Sequence, residues 1–215
     1  MMLEPLNAFL AELKANNNKA WMDENRARYA TLRDEFVELV DRVIAGVAET
    51  DPEVRLADAR DAVFRINRDI RFAADKSPYK TNFSAAISPG GRSVARPLYY
   101  VQLGADESMV AGGLYFPESA PLHQVRQYIA RHPRKADALL RHPELVRRFG
   151  GLDTERMLVR MPRGYDAGSE LLRYRSFTVS APLATFSGDP TDEIVDALRA
   201  MKPLIDWLRA ALRAA

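Results

Sequence analysis

The chain of 215 residues contains no cysteine. This absence excludes disulfide bonds, thiolate metal sites and a cysteine nucleophile. The sequence also has no apolar run near the ~18 residues that a membrane-spanning helix needs. Its N-terminus lacks the basic segment and apolar run of a signal peptide. We therefore predict a cytoplasmic protein with no membrane partner, in a compartment where disulfides are rare.

The chain also lacks a large excess of charge of one sign, because its formal net charge is only +2. Such a balance does not by itself indicate nucleic acid or an anionic membrane as a partner. The three histidines form no HExxH motif, so we predict no zinc site. No GxSxG elbow identifies an α/β-hydrolase, and no motif identifies a cofactor. The central carboxylates lack the spacing of a known magnesium or calcium loop: Asp58, Asp61, Asp69 and Asp75.

Helical periodicity dominates both ends of the chain, where apolar residues recur every three to four positions. A turn at 16–18 interrupts the first helical region, and Pro203 should kink the last helix. In the region that follows the predicted sheet, prolines mark the starts of short helices and Gly150 marks the end of one. The predicted helices are 4–14, 21–48, 122–130, 134–140, 144–149 and 190–213.

The middle of the chain, residues 63–116, changes to β-rich runs separated by short turns. Turns this short favour an antiparallel meander. We predict one α+β domain over 1–215, with helical regions 4–48 and 118–150 around a central antiparallel sheet. The predicted sheet strands are 63–72, 83–87, 98–103 and 109–116, and two further short strands are 157–161 and 176–179.

The predicted strand 64–72 has an unusual charge pattern. With a period of two, one side is apolar and the other polar, and only Arg68 breaks the pattern by falling on the apolar side. A charge there must be paired, bind a ligand, or lie where the strand leaves the core. The apolar side comprises Phe64, Ile66, Ile70 and Phe72, and the polar side comprises Arg65, Asn67, Asp69 and Arg71.

Residues 60–80 hold six basic and three acidic side chains, a local excess of +3. Guanidinium groups match phosphate and carboxylate oxygens in a bidentate way. We therefore predict a site for an anionic small molecule on the sheet, with Asp69 orienting the arginines and serving as a weak candidate for a catalytic base. The predicted ligand-binding residues are Arg65, Arg68, Arg71, Lys76, Tyr79, Lys80 and Tyr115.

Two other interpretations stay open. The arginines of 64–72 can instead form structural ion pairs with charges on neighbouring strands, as in a structural or protein-interaction domain. Residues 126–148 hold seven basic and two acidic side chains, and such a surface can bind nucleic acid through phosphate contacts. The sequence contains no signal for an oligomeric state or a reaction.

Longer motifs resemble a known family. The segments FRINRDIRF at 64–72 and DKSPYK at 75–80 are similar to the signature of the bacterial and fungal domain-of-unknown-function family 2461. One departure is visible, because Ala167, Gly168 and Ser169 replace the polar Asp-His-type pair usual in that family. The resemblance implies no reaction, substrate or cofactor. Further similar pieces are Trp21 with Asn25, Arg26 and Tyr29, the segment 112–117 with Leu122 and Arg126, the turn 162–165, and the segments 171–173 and 176–177.

Overall fold

The structure is a computed structural model that describes residues 2–71, 73–91, 95–155, 157–165, 168–184 and 187–214. Its four-stranded antiparallel sheet has the strand order β1-β2-β3-β4, so each strand pairs with its neighbour in sequence. The predicted α+β class is confirmed. The strands are β1 (Asn82–Ile87), β2 (Leu98–Gly104), β3 (Met109–Leu114) and β4 (Phe177–Pro182).

Helices flank the sheet in sequence on both sides. Two predicted helices are each divided in two: 21–48 into α2 and α3, and 190–213 into α8 and α9. Short 3-10 helices span Pro52–Leu56 and Glu170–Arg173. The α-helices are α1 (Leu3–Ala15), α2 (Lys19–Glu24), α3 (Arg26–Ala48), α4 (Ala59–Ala62), α5 (Ser119–Arg131), α6 (Pro133–Leu140), α7 (Pro143–Phe149), α8 (Thr191–Ala200) and α9 (Lys202–Arg213).

Local side-chain chemistry explains these helix ends. The Asn18 side chain accepts a hydrogen bond from the backbone N–H of Trp21 at 3.0 Å and so caps α2. The Asn25 side chain donates to the Trp21 carbonyl at 2.9 Å and ends that helix after six residues. Pro203 lies in the first turn of α9, where its missing N–H costs no helical hydrogen bond.

Two predicted strands are wrong. Residues 63–71, all of which the structure describes, form only isolated bridges, from Val63 to Ala85 and from Asn67 to Tyr79. Phe72 lies outside the described residues, as does Ala167. Residues 157–161 are irregular, although the backbone of Leu158 donates to the carbonyl of Arg173 at 2.8 Å. The sheet therefore begins at β1.

The chain divides into two compact units. The first comprises Met1–Gly91, Tyr100–Val110 and Pro182–Asp196, and the second comprises Arg92–Tyr99, Ala111–Ala181 and Ala197–Ala215. The single domain over 1–215 stays a prediction. No helix of the described residues is both long enough and apolar enough to cross a membrane.

The core of the first unit is an aromatic cluster around Phe9 of α1 and Phe83 of β1. The ring of Phe9 lies 5.5 Å from that of Trp21 and 6.3 Å from that of Tyr29, and Phe36 of α3 meets Phe83 edge-on at 5.7 Å. These distances are typical of stabilising aromatic pairs. The cluster fixes α1, α2 and α3 against β1, next to the segment that carries Arg68.

The second unit packs α5 against α9, and Tyr128 of α5 meets Trp207 of α9 edge-on at 5.4 Å. In its part of the sheet, β4 approaches β3 so closely that a Cβ at Gly113 would lie 2.0 Å from the Phe177 carbonyl oxygen. Gly113 also has φ = +131°, a conformation that favours glycine. Gly113 therefore permits the approach of another backbone, whereas a Cβ at Gly112 would instead meet the Met201 side chain.

Candidate functional site

The segment that carries Arg68 keeps its predicted alternation without being a strand. From Phe64 to Arg71, partly or fully buried side chains alternate with exposed ones. Its backbone pairs with the chain that leads into β1, since the N–H of Lys80 donates to the Ile66 carbonyl at 2.8 Å and that of Arg68 to the Pro78 carbonyl at 2.9 Å. This pairing holds Arg68 opposite the 75–80 loop.

Arg68 lines a cleft of about 460 Å³ in the first unit. The cleft lies where the end of α1, the 75–80 loop, the start of β1 and the β2–β3 turn meet. Three of its lining side chains are cationic and two are carboxylates, and most of the remainder are polar. The lining residues are Lys14, Asn17, Arg68, Asp75, Ser77, Tyr79, Lys80, Thr81, Asn82 and Asp106.

Arg68 is paired with a carboxylate inside this cleft. Its Nη1 donates to Asp75 Oδ2. The other carboxylate oxygen, Oδ1, accepts from the Ser77 backbone N–H at 2.8 Å and from the Ser77 hydroxyl at 2.7 Å. The Ser77 hydroxyl, and then Arg68, hold the pKa of Asp75 well below its usual range. Asp75 is therefore ionised across the neutral pH range and neutralises Arg68.

The two lysines of the cleft have different surroundings. Lys14 forms an ion pair with Asp106, which joins the end of α1 to the β2–β3 turn. The ammonium group of Lys80 lies 5.1 Å from the centre of the Phe64 ring, in cation–π distance. The carboxylate partners of Lys14 and Arg68 thus both line the same cleft.

Asn17 fixes the backbone on which Tyr79 and Lys80 stand. Its side-chain nitrogen donates to the Tyr79 carbonyl at 3.0 Å, and its side-chain oxygen accepts from the Tyr79 backbone N–H at 3.1 Å. Tyr79 is itself buried. One amide side chain thus satisfies both backbone groups of a residue 62 positions away.

The remaining predicted site residues lie elsewhere. Arg71 and Asp69 pair with each other, with Nη2 and Oδ2 at 2.6 Å, and Arg71 chiefly lowers the pKa of Asp69, which weakens it as a base. The ammonium group of Lys76 donates to the Ile70 carbonyl at 3.0 Å. Arg65 is exposed, and Tyr115 is an exposed residue of the second unit.

Sequence reasoning did not identify Lys14, Asn17 or Asp106 as members of this site. Each comes from a segment remote from the 64–80 motif, and no spacing rule connects them. The turn predicted at 16–18 was the one local signal, because asparagine side chains often bond to nearby backbone in turns. Lys14 and Asp106 are separated by 92 positions, so only the fold brings them together.

In the second unit, the structure neutralises part of the basic surface predicted over 126–148. Glu144 pairs with Arg147 at 2.7 Å and lies 3.8 Å from Arg148. Asp137 pairs with Arg141 at 4.0 Å. These pairs reduce the charge that a nucleic-acid phosphate would meet, and nucleic-acid binding by this surface stays a prediction.

Comparison with known proteins places this α+β chain in a family. The model of the family described as "Conserved hypothetical protein (DUF2461)" matches residues 6–207. The chain belongs to that family, as the motifs of 64–80 indicated. A search of curated proteins and a search of solved structures each gave no match. The family description contains no ligand and no reaction.

Proposed function

We propose that this protein binds a small molecule bearing a phosphate or carboxylate group in the cleft of the first unit. The observation that supports the proposal is the presence of three cationic side chains, Lys14, Arg68 and Lys80, around one cleft of about 460 Å³. That volume lies within the usual range of small-molecule sites. The cytoplasm, inferred from the sequence, is the place of action that we propose.

The anion would bind at Arg68 and Lys80. The Arg68 side chain is 27% exposed, and its partner Asp75 is 60% exposed. Water already reaches the pair, so an incoming anion can exchange with the carboxylate without desolvating a buried charge. The hydroxyl and amide groups of Ser77, Thr81 and Asn82 provide donors and acceptors for the rest of the ligand.

The experiment is a thermal-shift screen of inorganic phosphate, phosphorylated metabolites and polycarboxylates at constant ionic strength. A ligand at a hundred times its Kd should add about 2.7 kcal/mol to the free energy of unfolding. Arg68→Gln and Lys80→Gln should each weaken binding about tenfold, the worth of a charge-assisted hydrogen bond. Arg60→Gln is the matched control, because Arg60 is an exposed arginine of the same unit outside the cleft. The absence of stabilisation by every anion, or an equal loss in the control, would contradict the proposal.

The Arg68–Asp75 pair supports a second candidate, a purely structural role for these charges. In that case Arg68→Gln and Asp75→Asn would be coupled in a double-mutant cycle without any ligand, and no anion would stabilise the wild type. The pair is too exposed for the large loss that breaking a buried pair produces. A modest coupling together with anion binding would favour the ligand-binding role.

A further inference from the structure

Arg126 of α5, in the second unit, is a partly buried cation with neutral partners. Its Nε donates to the Leu172 carbonyl at 3.2 Å, and its Nη2 donates to the Tyr174 carbonyl at 3.4 Å. Burial lowers the pKa of Arg126, Tyr165 acts in the opposite direction, and the guanidinium of Arg175 lowers it further. The carbonyl groups accept hydrogen bonds from Arg126 but cannot cancel its charge, and Arg175 adds a like charge that acts on it.

Arg131, one and a half turns further along α5, has the same kind of partners. Its Nε donates to the Gln127 carbonyl at 3.3 Å, and its Nη1 donates to the Ala214 carbonyl at 3.3 Å. Among the described residues, no carboxylate forms an ion pair with Arg126, Arg131 or Arg175. Other arginines of this unit do have such partners: Arg141 with Asp137, Arg147 with Glu144, and Arg173 with Glu170.

A cleft of about 480 Å³ opens beside these arginines. Its lining includes Gln127, Ala130 and Arg131 on α5, and Tyr165 from the turn after Pro162. Tyr165 of this cleft also acts on Arg126 electrostatically, since it raises the pKa of that guanidinium. The cleft is thus bordered by the Arg131 guanidinium on α5 and by the phenol hydroxyl of Tyr165, which can donate a hydrogen bond.

We propose that this cleft is a second anion site that takes the phosphate group of a small molecule, with Arg131 and Tyr165 in contact and Arg126 and Arg175 supplying further charge. Guanidinium groups bind tetrahedral oxyanions with directed pairs of hydrogen bonds. A phosphate dianion balances two of the uncompensated cations, whereas a carboxylate balances one. The inference is independent of the first cleft, since each cleft is lined by residues of its own unit.

The test is a titration of the ¹⁵N-labelled full chain with inorganic phosphate at constant ionic strength, followed by NMR. The backbone amide signals of Gln127, Arg131 and Tyr165 should shift and saturate together, and acetate should shift them less. Arg131→Gln should raise the Kd about tenfold, the effect of losing a charge-assisted hydrogen bond. Arg175→Gln removes only a nearby charge and should raise the Kd by less. Both arginines are exposed, so both variants are expected to fold.

Arg141→Gln is the matched control, because Arg141 is an exposed arginine of the same unit that already pairs with Asp137. It should leave the Kd unchanged. Arg68→Gln should also leave these shifts unchanged, which separates this site from the first cleft. The proposal is overturned if phosphate fails to shift these signals, if acetate shifts them equally, or if Arg141→Gln weakens binding as much as Arg131→Gln does.

Discussion

Gly113→Ala should strongly destabilise the protein, because β4 leaves no room for a side chain at this position. The added Cβ would lie 2.0 Å from the Phe177 carbonyl oxygen and 2.9 Å from the Thr178 Cα. Both are backbone atoms of a paired strand, so relief requires the strands to separate. Overpacking of this kind costs about 1–3 kcal/mol, and the positive φ of Gly113 adds about 1–3 kcal/mol of backbone strain.

We therefore expect Gly113→Ala to lose about 2–6 kcal/mol, a large share of the roughly 5–15 kcal/mol by which domains are usually stable. Urea denaturation measures the loss as a fall in the midpoint at unchanged slope. Gly150→Ala is the matched control, because Gly150 has φ = +73° at the end of α7 and nothing lies within 4 Å of the added Cβ. It should lose only about 1–2 kcal/mol.

The contrast between the two glycines separates steric crowding from backbone conformation, since both residues have positive φ and only Gly113 faces another strand. A Gly113→Ala protein that does not fold would agree with steric crowding of this position by β4. A Gly113→Ala protein that loses no more stability than Gly150→Ala does would refute the close approach of β4, and with it the structural explanation for Gly113.

Two further predictions concern the cleft of the first unit. Asn17→Ala removes both hydrogen bonds to the Tyr79 backbone. It should lower the free energy of unfolding by about 2–3 kcal/mol, at about 1 kcal/mol per bond plus the cost of the unsatisfied backbone groups. Urea denaturation measures this loss, which would be smaller if water replaced the Asn17 side-chain amide. The pKa of Asp75 is lowered in the folded state, so its stabilisation is fully present above the unfolded pKa of about 3.9 and is lost as the pH falls. The stability difference between wild type and Asp75→Asn should therefore shrink as the pH falls below about 4, and a difference that stays constant in acid denaturation would contradict this.

The sequence predicted which side chains of 64–71 are buried but not the structure that buries them. Alternation reports only that one side of an extended chain faces the interior. The Phe64 N–H donates to the Ser84 carbonyl, and the Lys80 N–H donates to the Ile66 carbonyl. From the first hydrogen bond to the second, one segment moves by two residues, from 64 to 66, and the other by four, from 84 to 80. This mismatch prevents a continuous ladder, as a bulge does. Such a mismatch has no signature in apolar spacing.

The helix breaks were similarly beyond the reach of periodicity. Asn25 is the single residue between the end of α2 and the start of α3. The apolar stripe therefore continues across the break almost in phase. Pro203, in contrast, marked the division of the last helix in the sequence, because proline cannot donate the hydrogen bond that a continuous helix needs. A break is predictable when the residue forbids the helix and unpredictable when a side chain merely competes for one carbonyl.

The two clefts differ in how their cations are compensated, and this difference carries the functional argument. In the first, Asp75 and Asp106 already neutralise Arg68 and Lys14, so an anion that binds to either of these two cations must exchange with a carboxylate and gains there only the difference between two ion pairs. In the second, Arg126 and Arg131 bond to carbonyl groups, so an anion adds charge compensation without displacing any described carboxylate. Arg68 and Arg71, which stand out in the sequence, thus have charges that the fold balances with carboxylates. Arg126 and Arg131 of α5, which do not stand out in the sequence, hydrogen-bond to carbonyl groups and form no ion pair with a carboxylate of the described residues.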